Sequence, residues 1–230
     1  MFDKDGIIVL NKPTGMSSNK AVQIVKSMLK PKKIGHMGTL DPLGSGVLIL
    51  GINKGTKLFD RFLNETKTYR TIFYFGKETD TLDSEGKIIN TCDRVVSISD
   101  VDLVCKKFIG EFDQLPPIYS AKKINGKKAY ELARKGEEVK LRPRRVTIYD
   151  IKNLGMVAGN TYAFEITCSG GTYIRSICRD MSKKLSTCAT MLAIIRTRCG
   201  EYDISRSCTL EDIKVGSFNF IETKKVKVNE

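Results

Sequence analysis

The stretch Gly35-His36-Met37-Gly38-Thr39-Leu40-Asp41-Pro42-Leu43-Gly44-Ser45-Gly46 holds four glycines, a proline, an aspartate and the only histidine of the chain. Glycine reaches backbone conformations and close approaches that other residues cannot, and Asp-Pro starts turns, so this composition predicts a structured loop. Working outward, Val47 to Gly51 reads as a buried strand that follows the loop. Ahead of the loop, Ala21, Ile24, Val25 and Met28 recur at helical spacing behind a serine N-cap at 17 or 18, which predicts an amphipathic helix ending before Pro31. Further back, Gly6 to Leu10 is a short apolar strand running into the turn Asn11-Lys12-Pro13-Thr14-Gly15.

Beyond the loop region, Thr56 to Leu63 predicts a helix and Thr68 to Phe75 a strand rich in β-branched and aromatic residues. The polar turn Thr79 to Gly86 resembles a calcium loop only superficially, because Leu82 stands where an oxygen ligand is required. Val101 to Ile109 predicts a helix, and Lys122 to Arg145 is strongly basic. Val146 to Leu154 and Thr161 to Cys168, joined through Gly159-Asn160, predict a hairpin. After Gly170-Gly171-Thr172, the spacing of Ile174, Ile177, Cys178, Met181 and Leu185 predicts a helix from which Arg175 and Arg179 project. Strands outnumber helices without regular alternation, so the fold class is α+β around a mixed sheet. The end of the chain from about Val215, closing on KKVKVNE, is expected to fray.

The chain has 230 residues, 41% apolar and 28% charged, enough for a sizeable core and unlike a disordered or repetitive protein. Thirty-nine Lys and Arg against 26 Asp and Glu leave a formal charge of +13 spread along its length, which points to a polyanion partner. Seven cysteines without a C-x-x-C pair describe neither a disulfide framework nor a zinc knuckle and fit the reducing cytoplasm. Charges interrupt the N-terminus and apolar runs such as Val47 to Leu50 are far too short to cross a bilayer, so neither export nor membrane insertion is expected.

Nucleotide fingerprints fail, since Ile49 stands where the dinucleotide motif needs its third glycine and no P-loop occurs. One histidine and no G-x-S-x-G elbow leave little room for a Ser-His-Asp hydrolase, and the soft ligands are too few for a catalytic zinc. The expected chemistry therefore uses no metal and no cofactor. Asp41, a carboxylate presented by a glycine-rich loop in a basic chain, remains the candidate.

Gly35-His36-x-Gly38-Thr39-Leu40-Asp41-Pro42-x-x-x-Gly46 closely resembles the catalytic loop of the TruB-type tRNA pseudouridine synthases, which make pseudouridine at position 55 of tRNA. Other family motifs follow in order: Leu10-Asn11-Lys12-Pro13-x-Gly15-x-x-Ser18, Lys67-x-Tyr69, Thr79-Asp80-Thr81-x-Asp83-x-x-Gly86, the segments from Pro117 to Lys123 and from Gly126 to Tyr130, and Gly171-Thr172-Tyr173-Ile174-Arg175-Ser176. The resemblance spans roughly residues 7 to 213. It implies the pseudouridine synthase catalytic fold, a central mixed and mostly antiparallel sheet flanked by helices and loops. It also implies a catalytic domain over residues 1–214, with 215–230 a short charged tail and the family's small C-terminal RNA-binding domain missing.

Site roles follow from the resemblance alone. Asp41 is implied to attack the target nucleotide, Tyr69 to stack on the uracil, Arg175 to pair with Asp41 and Asp83 to balance that arginine. Lys12, His36, Tyr173 and Ile194 complete the implied substrate-binding set. Met37 departs from the family, where a polar residue often stands.

The chemistry agrees with these roles. Pseudouridine formation breaks N1–C1′, turns the base and joins C5 to C1′, so an ionised carboxylate beside the sugar can act as nucleophile or stabilise positive charge. The uridine must leave its stack, and an aromatic face restores about 1–3 kcal/mol of stacking per base. A phenol of ordinary acidity, about 10, is a poor base near neutrality, which favours stacking over proton transfer for Tyr69. The implied partner is the T stem-loop of tRNA, acted on by a monomer without guide RNA. Lys30 to Lys33, Lys122 to Lys128 and Lys140 to Arg145 are candidate phosphate contacts. The competing readings are a non-catalytic tRNA-binding or folding protein, a guide-RNA-dependent pseudouridine synthase, and a hydrolase using Asp41 with Asp83.

Overall fold

A computed structural model describes residues 2–226 apart from 121, 125 and 138. Ala121 and Asn125 of the motifs between Pro117 and Tyr130, and the last four residues of the charged tail, lie outside the described residues. The chain divides into two compact units, Met1–Tyr69 with Ile195–Glu230, and Arg70–Ile194. It passes from the first to the second within the strand Lys67–Phe75 and returns within the strand Ala189–Cys199.

In the first unit the strand Gly6–Lys12 pairs antiparallel with Ser45–Ile52 along its whole length. Ser45–Ile52 pairs antiparallel with the short strand Ile34–His36 on part of its length and parallel with Ile195 and Arg196, which makes the sheet mixed. Nearly every residue of Ser45–Ile52 is buried, and Val47 and Ile49 join Ile7, Val9, Met37 and Phe62 in one apolar core. The helix Ser18–Leu29 starts as its sequence predicts: the Ser17 side chain accepts from the Lys20 amide at 3.1 Å. It ends at Lys30 in the left-handed region, one residue before Pro31. The expected helix at Thr56 to Leu63 divides into a 3-10 turn, Asn53–Leu58, and an α-helix, Phe59–Asn64. Asn53 sits at φ 51° and Gly55 packs directly on the Gly6 carbonyl, which forces the tighter start.

The expected frayed end is corrected by the structure. Phe220–Glu222 pairs antiparallel with Gly6–Ile8, and Val226 is buried in the core. Apolar residues at 220, 221 and 226 give this segment surface to bury, and burial outweighs the entropy of ordering a short terminal piece.

In the second unit the hairpin Arg144–Ala158 and Thr161–Cys168 carries bulges near Gly155 that accommodate its length. Gly110–Gln114 pairs on one side of it, and Lys67–Phe75 is next to Thr161–Cys168 on the other. Phe73 and Phe164 stack at 4.8 Å between ring centres, both fully buried. The helix Ile98–Phe108 lies on the long hairpin strand, anchored beside Tyr162, whose hydroxyl donates to the Val96 carbonyl at 2.6 Å. The helix Ile174–Lys184 buries seven of its residues, among them Arg175. A sheet of mixed, mostly antiparallel pairing with helices against it is the α+β class that the sequence predicts.

Candidate active site

The loop carrying Asp41 is fastened at several points within the first unit. Buried Ser18 donates to the Leu40 carbonyl at 2.8 Å and accepts from the Leu40 amide at 2.9 Å. The Thr14 hydroxyl donates to the Leu43 carbonyl at 2.8 Å, and the Gly15 amide donates to the Pro42 carbonyl at 2.9 Å. The N-terminal motif is therefore the clamp of the loop motif, with Asp41 half-buried between the clamped positions and Pro42 exposed. The Gly44 amide donates to the Asp41 carbonyl at 3.0 Å and closes the turn that the Asp-Pro pair opens.

Arg196 holds both ends of the same loop. Only 1% exposed, it donates from Nη2 to the Gly38 carbonyl at 3.1 Å and from Nε to the Val47 carbonyl at 2.7 Å. Gly46, at φ 95°, lies against the Arg196 backbone, where any side chain would collide with the carbonyl. The sequence reading missed Arg196. Its signal is an arginine directly after the apolar run Met191 to Ile195, a pattern that fits a buried, fully bonded guanidinium.

Lys12 is completely buried, with Nζ donating to the Pro13 carbonyl at 2.8 Å and to the Met16 carbonyl at 2.7 Å. Its ammonium is turned into the fold and shapes the turn that clamps the loop. Lys67 is similarly buried and caps the carbonyls of Phe62, Leu63 and Glu65 at 2.9, 3.1 and 2.7 Å. Tyr69, two residues on, is 6% exposed. His36 is half-buried, its Nε2 3.2 Å from Asn19 Oδ1 on the helix Ser18–Leu29.

The remaining candidates belong to the second unit. Arg175 does not project into solvent as its helical position predicts; it is 5% exposed. Nη1 donates to the Thr81 carbonyl at 2.8 Å and Nη2 to the Tyr119 carbonyl at 2.9 Å, while Nη1 stands 3.6 Å from Asp83 Oδ2. The other Asp83 oxygen accepts from the Thr81 hydroxyl at 2.6 Å and the Glu85 amide at 3.1 Å. The polar turn thus aims its carboxylate inward at an arginine. Tyr173 precedes Arg175 and is joined to Gln114 by two hydrogen bonds, from its amide to Oε1 at 2.8 Å and from Nε2 to its carbonyl at 3.1 Å. Ile194 is half-buried in the strand Ala189–Cys199. Among the described residues no group of three or more His, Cys, Asp or Glu is placed to hold a metal ion. Among the described residues no helix is long and apolar enough to cross a membrane.

The profile of TruB family pseudouridylate synthase (N terminal domain) matches residues 26–174, which include the clamped loop, Tyr69, Asp83 and Tyr173. The chain belongs to the TruB family of pseudouridylate synthases. It is 40% identical to the tRNA pseudouridine synthase B of Caldanaerobacter subterraneus subsp. tengcongensis, over 98% of this chain and 82% of that one. The tRNA pseudouridine synthase B of Mesoplasma florum is 43% identical over 92% of this chain and 74% of its own length. Among solved structures, a Cbf5-Nop10-Gar1 complex contains a chain that matches with TM-score 0.70 and 30% identity, over 90% of this chain. This TruB family member spans 53% of that longer chain.

Proposed function

We propose that the chain converts uridine to pseudouridine at position 55 in the T loop of tRNA, acting on naked tRNA as a monomer without guide RNA or cofactor. The observation that carries the proposal is the clamped Asp41 loop, built by Ser18, Thr14, Gly15 and Arg196, in a chain that matches curated tRNA pseudouridine synthases B over 74–82% of their length. A carboxylate on a rigid loop suits a step in which geometry decides the rate.

In the proposed reaction the uridine is flipped out and Asp41 attacks the target nucleotide as N1–C1′ breaks. The detached uracil turns, C5 bonds to C1′ as the bond to the Asp41 carboxylate breaks and frees it, C5 loses its hydrogen and N1 gains one, so the product is an isomer and nothing is consumed. Tyr69 offers its ring to the base, which takes over ring surface that the folded chain now covers. His36 lies against the RNA beside the flipped nucleotide. Arg175, held by Asp83, serves the same reaction together with Tyr173 and Ile194. Lys12 serves substrate binding, its ammonium also fixing the turn that clamps the loop through the Pro13 and Met16 carbonyls. The catalytic body comprises residues 1–214 together with the strand Phe220–Glu222. Seven cysteines that all stand as free thiols support a cytoplasmic location.

The guide-dependent reading draws on the Cbf5-containing neighbour, and one experiment separates the two. An unmodified tRNA transcript incubated with this protein alone is expected to gain one carbodiimide-reactive pseudouridine at position 55. Modification only after a guide RNA is added would overturn the proposal.

A further inference from the structure

The strands Ile34–His36 and Ser45–Ile52 are antiparallel, so the Asp41 loop joins one pair of their ends and leaves the other pair apart. At that far end the chain enters through Lys32 and Lys33 and leaves through Lys54 and Lys57. Seven residue steps from Ser45 to Ile52, about 3.3 Å each, put the far end about 23 Å from the loop. An open cavity of about 430 Å³ lies there, lined by these four lysines, Asn53, Thr56 and two aspartates.

The cavity is built before any ligand arrives. Asn53, at φ 51°, donates from Nδ2 to the carbonyls of Phe2 at 3.2 Å and Lys4 at 2.9 Å, and its Oδ1 accepts from the Lys33 amide at 3.1 Å. The Thr56 hydroxyl donates to the Asn53 carbonyl at 2.8 Å. One residue thus ties the N-terminal segment, the start of Ile34–His36 and the end of Ser45–Ile52 into a fixed frame.

Its charges are unevenly spent. Asp5 accepts from the Lys54 amide at 3.1 Å and stands 3.2 Å from Lys54 Nζ. Among the described residues no ion pair within 4 Å engages Lys32, Lys33 or Lys57, and all three are exposed. The lining holds no aromatic or large apolar side chain, which argues against a nucleobase or an organic metabolite as occupant. Lysine ammoniums are point charges suited to phosphate, and an open shape suits a chain passing across it.

We infer that this lysine cleft binds backbone phosphates of the tRNA outside the T stem-loop, a second docking point at the opposite end of the strand pair from Asp41. The inference rests on the proposed function. Five stacked pairs rise about 17 Å at 3.4 Å per pair, less than the roughly 23 Å length of Ser45–Ile52, and the proposed contact is with RNA that continues past the T stem.

The test compares Lys32→Glu/Lys57→Glu protein with wild type on two substrates, a full-length unmodified transcript and an isolated T stem-loop. The expected result is a roughly tenfold higher KM for the transcript at unchanged kcat, with a log–log salt slope shallower by about 2, since each lost phosphate contact removes about 0.9. Stem-loop kinetics stay within about twofold, and Lys106→Glu/Lys107→Glu, the same charge change within the helix Ile98–Phe108 of the second unit, alters neither substrate. Equal losses on both substrates, or no loss on either, overturn the inference. Lys32→Gln/Lys57→Gln, a milder change at exposed positions, is expected to act in the same direction, and its failure to do so overturns the inference as well. Wild-type protein that turns over neither substrate contradicts the proposed function instead.

Discussion

The guanidinium of Arg196 donates to the carbonyl of Gly38, three residues before Asp41, at 3.1 Å, and the same group holds Val47 at 2.7 Å. A single buried side chain therefore spans the two ends of the loop that presents the proposed nucleophile. Arg196→Met keeps much of the volume but leaves two buried carbonyls without their donors. The expected cost is about 2–4 kcal/mol in urea unfolding, with kcat reduced more than tRNA affinity. Arg196→Lys, which cannot serve both carbonyls at once, is expected to fall between Met and wild type.

Ser18 and Thr14 clamp the same loop from unequal environments. Ser18 is 2% exposed and makes two hydrogen bonds to Leu40, while Thr14 is exposed and makes one to Leu43. Ser18→Ala is expected to cost about 1–3 kcal/mol because buried partners are stranded, and Thr14→Ala less than about 1 kcal/mol because water replaces the hydroxyl. Chemical denaturation of both variants checks the order.

Arg175 and Asp83 are a buried pair, at 5% and 4% side-chain exposure. Arg175→Leu strands the Asp83 carboxylate and is expected to cost about 3–5 kcal/mol. Adding Asp83→Asn relieves the stranded charge and restores part of the stability. Activity stays lost in the double variant if Arg175 serves the reaction, so melting temperature and turnover measured side by side separate the two roles.

Buried thiols set the alkaline limit. Burial pushes Cys105 and Cys188 up to about 12, helped by Asp102 and Cys92 respectively, and Cys208 up to about 11. A pKa raised in the fold contributes stability that is complete below the unfolded value near 9 and is lost as pH rises toward the folded one. Melting temperature is therefore expected to fall from pH 9 to 10.5. The fall is shallower in the triple variant Cys105→Ala/Cys188→Ala/Cys208→Ala, which thermal melts across that range measure.

Local patterns in the sequence carried much of this far: the helix from Ser18, the long hairpin and the loop at 35–46 follow from spacing, capping and glycine content. What escaped depends on partners distant along the chain. Phe220–Glu222 reads as a charged tail because its strand partner lies at Gly6–Ile8, more than 200 residues away. Arg175 has the helical position of a surface charge, and its burial rests on partners far along the chain, among them the carbonyls of Thr81 and Tyr119 and the Asp83 carboxylate. The Asp41 loop was legible from its composition, yet its fastening by Arg196 was not, since nothing local marks a residue 155 positions on as its strap.

The most direct test of the central claim is tritium release from an unmodified tRNA transcript labelled at uracil C5. Pseudouridine formation makes C5 the glycosidic carbon, so its hydrogen must leave. Wild-type protein alone is expected to release tritium from a transcript with uridine at position 55 and not from one with cytidine there. Asp41→Asn protein is expected to lose at least about a thousandfold in rate while still binding the transcript. Release that persists undiminished in Asp41→Asn, or no release from wild-type protein that binds tRNA tightly, would contradict the account.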